Sequence, residues 1–522
     1  MLHGACGEPV SSDQRRQRPQ SRHFPGPNAS AGTSQPIRRS RAAAARFDPA
    51  AAICQRLDCL VRELHAGAAL REPVRDNLPG EARFMRHLPL TSAIALIAAS
   101  AASADTVTVV TSFPQDLTDP FKAAFEEAHP EHELEVVNRN TNASVAFLQE
   151  TRDSNTTDLF WASAPDAFEV LKSEGLLAKV DIASEGIPDE IGSYPINDPD
   201  GFYYGFAASG YGIMYNTRYV EANDLPIPAE WDDLMGAEYN GHVAMSAPSR
   251  SGTTHLTVET LLQGDGWEDG WAKWKWIAGN MNTVTERSFG VPDAVNSGSA
   301  GYGIVIDFFG LSSKASDFPV ELVYPSVTAI VPANIAVIEN APNPEAAKTF
   351  VEFVLSPEGQ QVLLNPAIMR LPVNQAAYEN APEGFPHPFD ENFAPGAIEF
   401  DVNKSGTRYN LVNSLFDVLI TYRLDELREA VAAVQQAEAA HADSGNAEAQ
   451  ALIEEARDLV EALPITEEES LDPAFAEAFQ ISRADPTTEV VGRQAEIEQE
   501  WDSFAVENYR RATELANEAA AM

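Results

Sequence analysis

The chain has 522 residues, of which 36 are Lys or Arg and 78 are Asp or Glu. Of the net charge of −42, residues 1–104 contribute +6 and residues 105–522 contribute −48. A surface as acidic as the second part excludes nucleic acid and anionic membranes as partners, because contacts to phosphate groups need clusters of Lys and Arg. The hydrophobic content of 44% suffices to bury a core of two domains' size.

Residues 1–84 have no sustained apolar periodicity and are predicted to be disordered. A basic start at Met85, an apolar run and a closing Ala-Ser-Ala then predict a secretory signal peptide over residues 85–104. The apolar run is too short for a transmembrane helix, the alternative interpretation, and it contains Pro89. We expect translation to begin at Met85 and the mature protein to be periplasmic. All three cysteines precede Met85, so the mature part has no disulfide and no thiolate metal site.

The mature chain opens with a strand, a helix and a second strand, an order that predicts an open parallel α/β sheet. The strands are expected at 106–110 and 134–137. Ligands of such sheets bind beyond the carboxyl ends of the strands, where Ser112 follows the first strand. Ser163 ends another short strand and is a second candidate. Alternatively, the Ser112 hydroxyl only forms hydrogen bonds to the backbone of the turn in which it lies.

Residues 201–216 form a long apolar stretch interrupted by glycines, which predicts a crossing between two lobes where the backbone bends. Prolines mark a return crossing between strands expected at 320–324 and 336–339. The predicted organisation is lobe 1 at 105–208, lobe 2 at 209–324, and a return with the hinge at 325–385.

The candidate ligand site lies in a polar cluster, Ser251, Gly252, Thr253 and Thr254, which precedes an apolar helical pattern. The first N–H groups of a helix have no internal partner and carry its positive dipole end, so they bind anions where small residues admit a ligand. The alternative is an ordinary N-cap with Glu259 downstream. We predict an anion site here.

Asp307 is a further candidate, because it follows a buried strand and precedes Phe308 and Phe309. A carboxylate in apolar surroundings needs partners, and Asp307 could accept hydrogen bonds from a ligand ammonium or hydroxyl. The alternative role is a cap of the following turn.

The residues predict no metal site, no cofactor and no catalytic group. His129 and His132 lie at a helix end beside a proline and form no H-E-x-x-H motif. Gly298, Gly301 and Gly303 precede a strand, whereas a dinucleotide-binding fingerprint follows one.

From Pro382 onward the sequence becomes a Pro-rich linker and then acidic, Ala-rich helical patterns at about 410–440, 446–463 and 487–519. We predict a helical C-terminal extension over residues 386–522. It would pack on the lobes or on a partner and would not be a catalytic domain.

Residues 105 to about 380 resemble the extracellular solute-binding proteins of ABC importers, in the group that binds ferric ion, phosphonates, sugar phosphates and phosphoglycerate. The resemblance is carried by TVTVVTSF, DLFWASAPDAFEVLKSEGLL, YGIMYN, SAPSRSGTTH, GYGIVIDFF and NPEAAKTFVEFVLSPEGQQVL. It implies an α/β, two-lobed, type II periplasmic-binding-protein (Venus flytrap) fold, with the ligand in the cleft and an ABC permease of the inner membrane as partner. A monomer is expected.

The same resemblance places Ser112, Ser163, Ser251–Thr254 and Asp307 on cleft-facing loops. Ferric members have a Tyr-Tyr pair where this chain has Phe308-Phe309, and phenylalanine cannot ligate iron. A phosphate-, phosphonate- or carboxylate-bearing solute is therefore the expected ligand, although the charge of −48 repels anions at long range.

Three alternatives stay open beside this binding protein. The first is a ferric-ion binding protein. The second is a ligand-sensing regulatory protein that uses the C-terminal helices as its contact surface. The third is a secreted hydrolase, which the absence of G-x-S-x-G and H-E-x-x-H motifs disfavours.

Overall fold

Two mixed β-sheets with helices packed on them form the two lobes of the protein. The structure, a computed structural model, describes residues 105–522 except 192–193, 391–392, 395, 482 and 484–486. The upstream segment 1–84, the predicted signal peptide 85–104 and the three cysteines lie outside the described residues.

The strands in chain order are β1 Asp105–Thr111, β2 His132–Asn138, β3 Leu159–Ala162, β4 Glu190–Ile191, β5 Tyr194–Pro195, β6 Tyr204–Ser209, β7 Tyr211–Asn216, β8 Val243–Ser246, β9 Met281–Thr285, β10 Tyr302–Ile306, β11 Val320–Val323, β12 Val331–Val337 and β13 Leu371–Pro372.

The α-helices in chain order are α1 Gln115–Ala128, α2 Thr141–Glu150, α3 Pro165–Ser173, α4 Thr217–Asn223, α5 Gly252–Gly264, α6 Trp267–Gly279, α7 Gly290–Ser297, α8 Asp307–Ala315, α9 Pro344–Leu355, α10 Pro357–Val362, α11 Val402–Thr407, α12 Tyr409–Phe416, α13 Leu424–His441, α14 Ala447–Glu461, α15 Glu467–Ser470, α16 Pro473–Ala476 and α17 Gly492–Ala520.

Lobe 1 is built on a six-stranded sheet with the order β13-β6-β12-β3-β1-β2. Its opening strands β1, β2 and β3 pair in parallel, as predicted, whereas β12 pairs antiparallel with both β3 and β6. The strand β1 is buried on both faces: Val107 and Val109 face one apolar cluster and Val110 the other. Helices therefore cover both sides of this sheet.

Lobe 2 is built on a five-stranded sheet with the order β11-β7-β10-β8-β9. The strand β8 pairs in parallel with β9 and β10, so the carboxyl ends of these three strands meet at one edge. The strand β7 pairs antiparallel with β10 and β11.

The chain crosses from lobe 1 to lobe 2 at Gly210, which separates β6 from β7. The predicted bend in the long apolar stretch is therefore present. A Cβ at Gly210 would lie 2.8 Å from the side chain of Ile330 and 2.9 Å from that of Tyr324, both on the return segment between β11 and β12. Only glycine allows the outgoing and returning crossings to pack this closely.

The C-terminal extension packs on lobe 2 and shares one apolar core with it. Trp267, Trp271 and Trp274 of α6 recur at i, i+4 and i+7 and so share one helical face, and each is at most 1% exposed. They belong to the same cluster as Phe416 and Trp501 of the extension. The extension is therefore an integral part of the lobe 2 core.

Lys275 of α6 is buried inside this shared core, where its ammonium donates to the carbonyl oxygen of Ala462. Its Nζ lies 5.9 Å from the ring centroid of Tyr509. Burial lowers the pKa of the Lys275 ammonium from 10.5 to about 7. A protonated Lys275 therefore works against the packing of the extension on lobe 2.

We expect the free energy of unfolding to rise with pH between about 7 and 10. In this window the unfolded chain, with its Lys275 pKa of 10.5, binds more protons than the folded protein does. Below about pH 7 both states are protonated, and the destabilisation by the buried charge is fully present. Urea unfolding of the wild type and of Lys275→Met at pH 6.5, 8 and 9.5 tests this prediction. The variant should show the flatter dependence; parallel curves would contradict it.

Candidate functional site

A narrow cavity lies between the two lobes, and the space free of atoms in and around it, open solvent included, is about 370 Å³. Residues from both lobes line it: Ser112, Phe113, Pro114, Asn140, Thr141, Arg250, Ser251, Thr253, Arg287, Ser288, Phe289, Phe308, Phe309 and Arg370. Among the described residues, the lining contains three arginines and no carboxylate.

Five helices begin at this cavity. Pro114, Asn140, Ser251 and Phe289 line it and are the N-cap residues of α1, α2, α5 and α7. Phe308, in the first turn of α8, lines it as well. The N-terminal end of a helix carries partial positive charge, which favours an anion, although Asp116, Asp293 and Asp307 in the first turns of α1, α7 and α8 partly offset it.

Arg370 of lobe 1 is the most deeply buried of the three arginines, with 1% of its surface exposed. Its Nη1 donates to Ser163 Oγ at 2.8 Å, and its Nε has no hydrogen-bond partner. The guanidinium carbon lies 3.5 Å from the ring centroid of Phe308 in lobe 2 and 4.4 Å from that of Phe113 in lobe 1. Arg370 therefore joins the lobes by cation–π contacts.

The charge on Arg370 is only partly compensated. Burial lowers the pKa of its guanidinium to about 9, and the nearby Asp307 carboxylate partly opposes that shift. A buried cation without an ion-pair partner is costly, and a negatively charged ligand would offset that cost.

Arg250 and Arg287 supply the remaining positive charge from lobe 2. Arg250 Nε is buried and has no hydrogen-bond partner. Arg287 Nη2 donates to the carbonyl oxygen of Ser112 across the cleft at 3.5 Å, the long limit of a hydrogen bond. Burial lowers the pKa of the Arg287 guanidinium as well. Both arginines therefore keep donors that a ligand can use.

Three of the predicted site residues, Ser112, Ser251 and Thr253, line the cavity. Ser251 also caps α5, because its Oγ accepts the N–H of Thr254 at 3.2 Å. The ordinary N-cap considered as the alternative is thus present, in a helix that begins at the cavity. Ligand contact by these three residues stays a prediction.

The other four predicted residues lie behind the lining. A Cβ at Gly252 would lie 2.7 Å from the Cβ of Ala164 in lobe 1, so this glycine permits the close approach of the lobes. Ser163 Oγ accepts a hydrogen bond from the Arg370 guanidinium. Thr254 is buried, with 6% of its surface exposed.

Asp307 is fully buried and is bound by protein donors. Its Oδ2 accepts the N–H of Gly210 at 2.7 Å and the hydroxyl of Tyr324 at 3.0 Å, while its Oδ1 accepts the N–H of Phe308 at 2.7 Å. Burial raises the pKa of this carboxyl to about 6. Asp307 thereby ties the outgoing crossing to the returning one and begins α8, and a direct contact with ligand stays a prediction.

The cavity continues into a wider groove of about 1530 Å³ that shares Phe308, Phe309 and Arg370 with it. The other polar side chains of the groove are Gln115, Asp116, Asn138, Asp293, Asn296, Ser312, Ser313 and Ser316. The site therefore has a cationic inner part and an outer part of carboxylates, amides and hydroxyls.

Comparison with known proteins gives the family of this chain. The sequence profile of a family described as bacterial extracellular solute-binding protein matches residues 154–389. The phosphoglycerate transport regulatory protein PgtC of Salmonella typhimurium is 32% identical over 309 residues, which cover 58% of this chain and 74% of that protein. The chain belongs to the bacterial extracellular solute-binding proteins.

Solved structures similar to this solute-binding protein have the same fold. The fructose-6-phosphate-bound periplasmic binding protein AfuA of Actinobacillus pleuropneumoniae is 19% identical with a TM-score of 0.53, covering 60% of this chain and 98% of that one. The periplasmic binding protein P5PA is 20% identical with a TM-score of 0.55, covering 60% and 99%. The predicted type II periplasmic-binding-protein fold and the helical C-terminal region are confirmed. Among the described residues, no helix is long and apolar enough to span a bilayer.

None of the three arginines is among the site residues that the sequence of this solute-binding protein predicted. Arg287 closely follows the carboxyl end of β9, so the rule that singled out Ser112 also applied to it. Arg250 and Arg370 have no acidic residue within four positions, a feature that they share with Lys275 and Arg408 outside the cavity. The absence of acidic neighbours in the sequence therefore marks a basic residue whose charge is not compensated locally, but it does not by itself place that residue at the cavity.

We expect Arg370→Met to raise the free energy of unfolding by about 1–3 kcal/mol in anion-free buffer. The substitution removes a buried charge that lacks an ion-pair partner and leaves an unbranched apolar side chain between Phe113 and Phe308. Urea unfolding of both proteins measures the difference. A clear loss of stability would instead make Arg370 a structural brace.

Proposed function

We propose that this solute-binding protein binds a small anionic solute, preferably one that carries a phosphate or phosphonate group, in the interlobe cavity. The protein would deliver this solute to an ABC permease of the inner membrane. The observation that carries the proposal is the convergence of Arg250, Arg287 and Arg370 in a cavity lined by no carboxylate. The planar guanidinium group of arginine forms paired hydrogen bonds with the oxygens of phosphate and carboxylate groups, and these bonds are strongest where solvent is excluded.

The helix ends around the cavity support the same proposal. At the start of α5 they place the hydroxyls of Ser251 and Thr253 next to the guanidinium groups. A solute with several equivalent anionic oxygens can use donors from both lobes at once. A ligand that contacts both lobes stabilises the closed state. The free energy of this stabilisation equals the difference between the ligand's binding free energies for the closed and the open state.

The aromatic pair at the cavity favours an anion over ferric ion. Phe308 and Phe309 offer no oxygen ligand, and Phe308 lies against the Arg370 guanidinium. A trivalent cation beside three arginines would be repelled. The relative named for phosphoglycerate transport and the fold neighbour bound to fructose-6-phosphate agree with a phosphorylated solute.

The proposal is tested first by identifying the cargo. Native mass spectrometry of the periplasmic protein, purified without refolding, should show an added mass that is released under denaturing conditions. Isothermal titration with inorganic phosphate, 3-phosphoglycerate, fructose-6-phosphate and citrate then ranks the anions. Binding of ferric ion, with no heat from any anion in this panel, would contradict the proposal.

We expect Arg287→Gln to weaken anion binding by about 10- to 150-fold, because a charge-assisted contact contributes about 1.5–3 kcal/mol. The matched control is Arg493→Gln, which removes the same charge from an exposed position of α17, where Arg493 pairs with Glu496. Titration of both variants with the tightest anion of the panel measures the difference. Equal affinities would show that only the overall charge of the protein matters.

We expect Thr253→Val to weaken binding of the same anion by about 5- to 10-fold, through the loss of one hydroxyl donor. Thr254→Val is the control, because Thr254 lies next in the chain but behind the lining. If Thr254→Val has the larger effect, the ligand reaches deeper than the cavity described here.

A further inference from the structure

A buried polar junction connects lobe 1, lobe 2 and the C-terminal extension directly beside the cavity. Each of its members is at most 4% exposed. They are Asn142 and Asp166 of lobe 1, Ser249 and His255 of lobe 2, and Ser405, Tyr409 and Asn413 of the extension. Polar groups buried to this degree act as a connected unit, because an unpaired member costs more than it would in water.

The amide of Asn142 is the first bridge in this junction. The hydroxyl of Tyr409 donates to Asn142 Oδ1, and Asn142 Nδ2 donates to the carbonyl oxygen of Ser249 at 2.8 Å. Asn140, two residues before Asn142, lines the cavity from lobe 1, and Arg250, directly after Ser249, lines it from lobe 2. The tyrosine of the extension therefore orients the side chain that holds the two cavity walls together.

The imidazole of His255 is the second bridge. His255 Nε2 lies 3.2 Å from Asp166 Oδ2 and 3.1 Å from Ser405 Oγ, and Ser405 Oγ donates to Asp166 Oδ2 at 2.8 Å. On the other side, His255 Nδ1 lies 2.8 Å from Asn413 Oδ1. The ring of Tyr409 packs on the imidazole with 4.3 Å between centroids. Tyr409 thus contacts both bridges.

These bridges join the same elements that build the binding site. His255 lies in the first turn of α5, whose N-terminus lines the cavity. Asp166 lies in the first turn of α3, three residues after Ser163, which holds Arg370. The extension contacts lobe 1 at this place through α11, where Gly406 lies close to Asp166 and Glu169.

We propose that Tyr409 is a positioning residue for the anion site. Through Asn142 and His255 it holds the N-terminal ends of α2 and α5 in the arrangement in which both walls face the ligand. The extension therefore takes part in ligand binding without touching the ligand, because a preorganised site loses less conformational freedom on binding. The inference rests on the proposed function in one respect, namely that the cavity binds an anion.

Tyr409→Phe removes one hydroxyl and keeps the ring, and Tyr509→Phe is its matched control. Tyr509 is also a buried tyrosine of the extension, but its hydroxyl donates to the carbonyl oxygen of Leu419 within the extension itself, at 2.9 Å. We expect both variants of the full chain to lose similar stability in urea. Only Tyr409→Phe should weaken binding of 3-phosphoglycerate or inorganic phosphate, by about 5- to 20-fold.

Hydrogen exchange of the ligand-free proteins provides a readout that does not depend on anion binding. In Tyr409→Phe the amides of Ala143 and Ser144 in α2, and of Thr254 and His255 in α5, should exchange faster than in the wild type and in Tyr509→Phe. Two results would overturn the positioning role. One is faster exchange that is confined to residues 409–520. The other is an affinity of Tyr409→Phe equal to that of the wild type, where the wild type binds the probe. A wild type that binds neither probe contradicts the proposed function, and the exchange rates then still decide the role of Tyr409.

Discussion

The interlobe site of this protein is organised around a cation buried between two aromatic rings. Arg370 comes from lobe 1 and lies against Phe113 of its own lobe and Phe308 of the other, with Ser163 as its hydrogen-bond acceptor. The contact gives the lobes an attractive interface without pairing the charge with a carboxylate at bonding distance. The same group therefore serves two purposes: it brings the walls together, and it leaves positive charge available at their interface.

This local charge reconciles a net charge of −48 over residues 105–522 with the proposed anion site. Long-range repulsion acts across solvent and is screened within about 10 Å at ordinary ionic strength. Inside the cavity, three guanidinium groups and five helix ends act at short range and in a low dielectric. The potential that a ligand meets is therefore set by the lining and much less by the total charge of the chain.

The C-terminal extension contacts both lobes of the fold. Its helices complete the core of lobe 2 around Trp271 and Trp274, so lobe 2 and the extension are one packed body. The same extension reaches across to lobe 1 through Ser405 and Tyr409. Lobe 1 is therefore joined by buried polar contacts to a third element as well as to lobe 2.

The sequence by itself determined the secondary structure and the order of the lobes' elements, because these follow from local periodicity, proline and glycine positions and strand-end rules. It predicted the bend near Gly210 and the helical C-terminal extension. It also found Ser112, Ser251 and Thr253, which follow strand ends or begin helices.

Only the tertiary structure decided where Arg370 lies, because its contacts to Ser163 and Phe308 join segments far apart in the chain. It also assigned the carboxylate of Asp307 to the hinge, since the donor at Gly210 is remote in sequence. Local patterns report which groups are near a strand end or a helix start. Which side chain from a distant part of the chain contacts such a group depends on tertiary packing, and local sequence patterns do not contain that information.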